Sequence, residues 1–181
     1  VVTNNDPSDF SRLGAFFDVI LTDVPCSGEG MFRKDPGAVE EWSPENVEIC
    51  WQRQRRIIAD IWPCLKPGGI LVYSTCTYNT KEDEENVQWI LDEFGAEVLP
   101  VNVPEGWRIT GNLLAAAGFP VYRFLPHKTI GEGFFLAVLR KPEAERQGGI
   151  VTSVNREVTA CGAMNEKLSR KKTAAARNNS K

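Results

Sequence analysis

Two cysteines and an aspartate stand where this chain could do chemistry. Cys26 follows Asp23 and Pro25 in FFDVILTDVPCSGEG, just after the apolar run Val19 to Leu21. Cys76 follows Thr75 in KPGGILVYSTCTYNT, just after the run Ile70 to Tyr73. A thiolate is a soft, strong nucleophile that adds reversibly to an electron-poor ring carbon or a carbonyl. A carboxylate beside it can hydrogen-bond an amino group or ring nitrogen of a base. Pro25 fixes the backbone after Val24, and Ser27-Gly28-Glu29-Gly30 forms a loop that a substrate could approach closely. Either motif alone is weak, because a single cysteine at a strand end is more often a buried small hydrophobe. The pair, in this order and with KPGG before the second, is much more specific.

These residues need a scaffold, and the flanking pattern supplies one. A strand is predicted at 17–23, then a helix at 44–62 that opens on Ser43-Pro44-Glu45, a cap followed by a proline suited to the first turn. Val47, Trp51, Gln54, Ile58 and Ile61 recur along it at helical spacing. Lys66-Pro67-Gly68-Gly69 reads as a turn into a second strand, 70–75, apolar enough to be buried on both faces. Thr80 is the expected cap of a helix at 81–94, whose acidic first turn, Glu82 to Glu85, suits the macrodipole. Strands are expected at 97–101, 121–126 and 134–140, the last two joined by HKTIGEG, short enough for an antiparallel hairpin. Helix-linked parallel strands followed by an antiparallel pair make an α/β sheet of Rossmann type. Ligands bind such sheets outside the carboxyl ends of the strands, so both thiols should face one crevice.

The bulk properties narrow the class. The chain has 181 residues, 42% hydrophobic and 25% charged, enough for one domain with its own core. No stretch of eighteen apolar residues occurs and no signal-peptide pattern opens the chain, so no membrane is expected and a cytoplasmic location is. Five cysteines, an odd number, fit a reducing compartment, and no CxxC or Cys/His spacing points to a metal. Charge is uneven: residues 1–139 carry 11 Lys and Arg against 20 Asp and Glu, residues 140–181 carry 10 against 4. The division expected is therefore 1–142 as the folded part and 143–181 as a basic flexible tail or linker, either a solvated spacer or an attraction for nucleic acid.

The stretches DVPCSGEGMFRKDP, EEWSPENV, QRRII, LKPGGILVYSTCTYNTKEDEENV and GEGFFLAVLRK closely resemble the Sun-domain (NSUN) family of RNA 5-methylcytosine methyltransferases, above all its bacterial ribosomal RNA members. The resemblance runs from about residue 1 to 141. It implies a Rossmann-like sheet that uses S-adenosylmethionine, with RNA, first of all 16S ribosomal RNA, as substrate. It further implies Cys76 as the nucleophile on carbon 6 of cytosine, Cys26 as the aid to product release, and Asp23 as a contact to the base edge. Asp6, Asp23 and Pro25 are implied at the cofactor. The family's Gly-rich loop after its first strand and the acidic residue after its second strand would lie upstream of VVTNNDP, so the chain is expected to match the C-terminal half of the catalytic domain, with the two first strands absent and a strand edge unpaired.

Several assignments stay open at this point. DNA cytosine methyltransferases use a Pro-Cys cysteine as nucleophile, so Cys26 and Cys76 could exchange roles. Other classes remain as well: a cysteine hydrolase pairing a thiol with His127, a noncatalytic fragment that binds RNA or a partner, and a redox pair between the two thiols. Arg33 and Lys34, in the loop beside Cys26, are the candidates for RNA phosphates, whereas Arg53 to Arg56 read as a solvated helix face. The tryptophans on helical stripes read as core and His127 as a loop residue.

Overall fold

β-Branched runs bounded by Gly and Pro alternate with amphipathic helical segments, and a computed structural model describes residues 1–115 and 117–143 of the chain. The expectation for 143–181 therefore falls, except for Glu143, outside the described residues. The main elements are β1 (Phe17–Asp23), α1 (Pro36–Glu41), α2 (Pro44–Ile61), β2 (Leu65–Thr75), α3 (Glu84–Phe94), β3 (Glu97–Val98), β4 (Tyr122–Phe124) and β5 (Phe134–Arg140). β1 pairs β2 in parallel, with Asp23 opposite Ser74. β5 runs antiparallel to β2, Thr75 opposite Phe135, and its other edge carries β3 at one end and β4 at the other. The expected α/β sheet with an antiparallel C-terminal hairpin is the one observed.

The differences in the elements have local causes. Lys66 to Gly69 is no turn: β2 already pairs β1 at Leu65, and the register jumps between Phe17 and Val19, so these residues bulge from a continuous strand. Gly68 sits there at φ 73°, a left-handed backbone that suits glycine. α3 starts at Glu84, not at 81, and its cap position is Asp83 rather than Thr80, with a side chain that makes no capping bond. Thr80 serves only through its carbonyl, which accepts from the Glu85 N–H. Two short elements carry no strong periodic signal and went unanticipated: a 3-10 turn at Pro7–Leu13 and α1, each opened by Asp then Pro.

The core lies on one face of the sheet. Leu71, Tyr73, Phe135, Ala137 and Leu139 alternate into it and meet Ile58 from α2 and Trp62 just beyond its end, with Val87 and Ile90 from α3. Trp62 stacks on Phe94 with ring centroids 4.8 Å apart. The opposite face corrects the expectation of burial on both sides. Ile70, Val72, Leu136 and Val138 are only half-buried there, and on β1 Val19 and Leu21 are 58% and 70% exposed. β1 also ends the strand order among the described residues.

Candidate functional site

Parallel pairing of β1 and β2 places their carboxyl ends side by side, and the two cysteine motifs leave the sheet there. The Val24 N–H still donates to the Ser74 carbonyl (3.2 Å), which holds the chains together for one residue beyond β1. The sulfurs of Cys26 and Cys76 then lie 2.7 Å apart, and the Cys76 N–H donates to Cys26 Sγ at 3.2 Å. Neither thiol is fully buried. Hydrogen bonding from Cys26 lowers the Cys76 thiol below its ordinary value, while the same bond and then burial push Cys26 up. Of the two, Cys76 is the thiol whose ionisation the contact favours.

Two carboxylates, Glu82 from the acidic run expected in a helix's first turn and Glu29 from the loop after Cys26, hold the two motif loops in this position. Glu82 is fully buried and accepts from the Ser27 N–H (3.1 Å), Asn79 Nδ2 (2.8 Å) and Gln54 Nε2 (2.6 Å). Glu29 accepts from the Tyr78 N–H at 2.8 Å and from Trp42 Nε1 at 3.0 Å. Each carboxylate therefore spans from one cysteine loop to the other or to the helix behind. Gly30 closes the arrangement: its N–H donates to the Cys76 carbonyl (2.8 Å), and a Cβ there would lie 2.7 Å from that oxygen. Gly133, from the hairpin link, packs so tightly on the Tyr78 ring that no Cβ could fit.

Behind Cys76 a second buried group supports the strand end. Arg123 on β4 is 1% exposed, and its guanidinium meets Glu84 and Asp83, with Asp83 Oδ2 at 3.0 Å. It also donates to the Tyr78 carbonyl (3.0 Å), and Thr75 Oγ1 donates to Asp83 Oδ1 (2.6 Å). Burial raises the Asp83 carboxyl well above its usual range. That direction is coherent, because one guanidinium faces two buried carboxyls and balances only one charge. The acidic run is structural, as expected, but through burial and pairing rather than through a solvated helix terminus. Glu82, Glu29, Asn79, Gln54, Ser27 and Arg123 were missed by sequence reasoning. The available signal was polar residues at core positions of periodic segments, Gln54 on the α2 stripe and Arg123 inside a strand.

The remaining singled-out residues divide. Asp23 stands exposed at the end of β1, and its charge opposes the thiolate at Cys76. Pro25 is exposed and offers its carbonyl to Gln54 Nε2 (3.0 Å). Asp6 caps the Pro7–Leu13 turn and pairs with Arg56 at 3.1 Å, which holds its carboxyl far below the usual range. Arg56 is thereby tied to Asp6. Arg55 is half-buried, bonded to Asn86 (2.9 Å) and lying 4.0 Å over the Trp51 ring, so the solvated reading of Arg53 to Arg56 fails for Arg55 and holds for exposed Arg53 and Arg56. Arg33 donates to the Gly131 carbonyl (2.6 Å) and Lys34 pairs with Glu132 (3.0 Å), both remaining exposed. His127 is exposed in the link before β5.

A cleft of about 310 Å³ opens beside the cysteines, lined by Asn5, Pro7, Phe10, Ile57 and Ile61 and by Ile20 to Pro25. Its apolar floor with a carboxylate, Asp23, at the thiol end fits a flat heterocycle joined to polar groups. Asp6 lies between two of its lining residues. Among the described residues no group of three or more His, Cys, Asp or Glu is placed to hold a metal, and no helix is long and apolar enough to cross a membrane.

Comparison with known proteins gives the following. The family described as 16S rRNA methyltransferase RsmB/F matches residues 1–140. Ribosomal RNA small subunit methyltransferase F of Klebsiella pneumoniae (strain 342) is 44% identical over 131 residues, covering 71% of this chain and 26% of the relative. The protein of that name from Serratia proteamaculans (strain 568) is 42% identical over 125 residues, covering 69% and 26%. The chain thus spans about a quarter of the length of the curated relatives it matches. Among solved structures, NSun6 from Pyrococcus horikoshii with SFG superposes with a TM-score of 0.64 at 33% identity, covering 78% of this chain and 34% of that one. A methyltransferase homolog from the same organism gives 0.63 at 30% identity, covering 78% and 44%.

Proposed function

We propose, from the premise that this chain belongs to the 16S rRNA methyltransferase RsmB/F family, that it carries the reacting thiols of an RNA cytosine-C5 methyltransferase. The substrate on this reading is small-subunit ribosomal RNA in the cytoplasm. The 2.7 Å approach of Cys26 and Cys76 at the carboxyl ends of two parallel strands carries the reading. The target base leaves its stack to enter the cleft. Cys76 Sγ adds to carbon 6 of the cytosine, and the electron pair displaced from the ring makes carbon 5 nucleophilic. Asp6, Asp23 and Pro25 would hold S-adenosylmethionine, which when bound would supply an electrophilic methyl group for carbon 5. Asp23 hydrogen-bonds the base edge, and Cys26 assists loss of the carbon 5 proton, whose bonding pair re-forms the C5–C6 double bond as the C6–S bond breaks with its pair going to Cys76 Sγ. Arg33 and Lys34 position the RNA backbone, and the basic segment from about 143 adds counterion release.

A suicide substrate tests the reading. The chain, incubated with S-adenosylmethionine and a ribosomal RNA fragment carrying 5-azacytidine, should form a covalent species on a denaturing gel, and Cys76→Ala should abolish it. Persistence of the species in Cys76→Ala with loss in Cys26→Ala would exchange the two roles. The chain's coverage of about a quarter of its relatives favours one second reading, a noncatalytic RNA-binding portion. RNA binding with no adduct in the unaltered chain would support it.

A further inference from the structure

We infer that a second cleft, between Trp107 and the link that precedes β5, is a stacking subsite for an unpaired RNA nucleotide flanking the target cytosine. The inference rests on the RNA reading above and adds a binding place to it. The cleft, about 510 Å³, is lined by Trp107, Arg108, Phe124, Lys128, Thr129 and Ile130. Trp107 is 58% exposed and Ile130 fully so, an unusual outlay of apolar surface on a solvated rim. Phe124 forms the inner wall and is backed by Phe134, ring centroids 5.9 Å apart.

Its position in the sheet ties it to the thiols. Thr75 faces Phe135 across β2 and β5, so Phe134 is level with Cys76; Phe134 in turn faces Phe124 across β5 and β4. Cys76, Phe134 and Phe124 therefore form one row along the carboxyl end of β2, and the cleft begins two strand spacings, about 10 Å, from the reacting sulfur. The ground between them is the loop Gly131 to Gly133. Arg33 and Lys34 are fastened to that loop, and its glycine packs against Gly30 and Tyr78. A strand of RNA with its target base at Cys76 would cross this ridge into the Trp107 cleft.

The chemistry of the rim selects nucleic acid. Arg108 and Lys128 have no carboxylate within ion-pair distance among the described residues, and Glu132 is already paired to Lys34. Lys128 Nζ donates to Thr110 Oγ1 (2.9 Å), which holds it at the cleft mouth with two protons free. Arg108 is held at φ 54°, left-handed although not glycine, and this strain places it beside the exposed indole. An aromatic face flanked by two cations is the arrangement that stacks a base and neutralises its phosphates.

The test is the affinity of the 181-residue chain for a fluorescent single-stranded oligoribonucleotide with one central cytosine, read by anisotropy at two salt concentrations. Trp107→Ala should weaken binding by roughly tenfold, the scale of one lost base–aromatic stack, and Trp107→Phe should restore most of it. Removing the base of one nucleotide near the cytosine should weaken the unaltered chain to the level of Trp107→Ala and leave that variant unchanged. Lys128→Ala should lower the salt slope by about one. Trp107→Ala binding as tightly as the unaltered chain would overturn the subsite while the RNA reading stands. Failure of the unaltered chain to bind any RNA would overturn the RNA reading, and the subsite with it.

Discussion

Two thiols in hydrogen-bond contact make different predictions from two independent ones. The largest influence lowering Cys76 is hydrogen bonding from Cys26, whereas burial and the charges of Asp23 and Glu82 push it up. Alkylation by iodoacetamide, followed by mass spectrometry across a pH series, should therefore modify Cys76 at lower pH than an ordinary thiol, with Cys26 unreactive. In Cys26→Ala the lowering bond is gone and the raising influences remain, so the midpoint for Cys76 must move to higher pH. Asp23→Asn removes one raising charge and should move it the other way. A midpoint for Cys76 unmoved by Cys26→Ala would break the assignment of thiolate and thiol.

At the scale of elements, the end of β2 depends on partners contributed by α3 and β4. Arg123 faces two buried carboxyls and balances the charge of one, and removing it leaves that charge without a partner. Arg123→Met should cost about 3–5 kcal/mol in urea unfolding. Asp83→Asn should cost only about 1 kcal/mol, because burial already raises the Asp83 carboxyl toward its neutral form and an amide mimics that form. The sign of the pH effect follows from the same shift. A carboxyl raised on folding favours the fold while protonated, and that advantage falls as pH rises from the usual carboxylate range through the folded value. Asp83→Asn should flatten this dependence. Equal costs for the two variants would mean that Asp83, not Glu84, balances the guanidinium.

At the scale of the whole molecule, the described residues give the sheet one covered face and one open one. Val19 and Leu21, with half-buried Val72 and Val138, form an apolar stretch along β1, the edge strand among the described residues. Such surface takes up apolar dyes. Anilinonaphthalene sulfonate should brighten on the native chain, and the double variant Val19→Lys with Leu21→Lys should lose most of that emission without unfolding, since both side chains are exposed already. Emission unchanged by the two lysines would place the dye elsewhere.

The local sequence by itself determined β1 to its end residues, the α2 stripe, the antiparallel β4–β5 link and the meeting of Cys26 and Cys76, because each follows from periodicity, punctuation by Gly and Pro, and the rule that sites lie at the carboxyl ends of parallel strands. Only tertiary structure decided the rest. Glu82 and Glu84 look, in sequence, like any acidic helix start; they become anchors because residues some thirty to fifty-five positions away, Ser27, Gln54 and Arg123, are folded against them. KPGG looks like a turn and is a bulge, since pairing with β1 continues on both sides of it. The physical reason is common to these cases: backbone preference is local and legible along the chain, but the partner of a buried charge is set by which strands lie side by side.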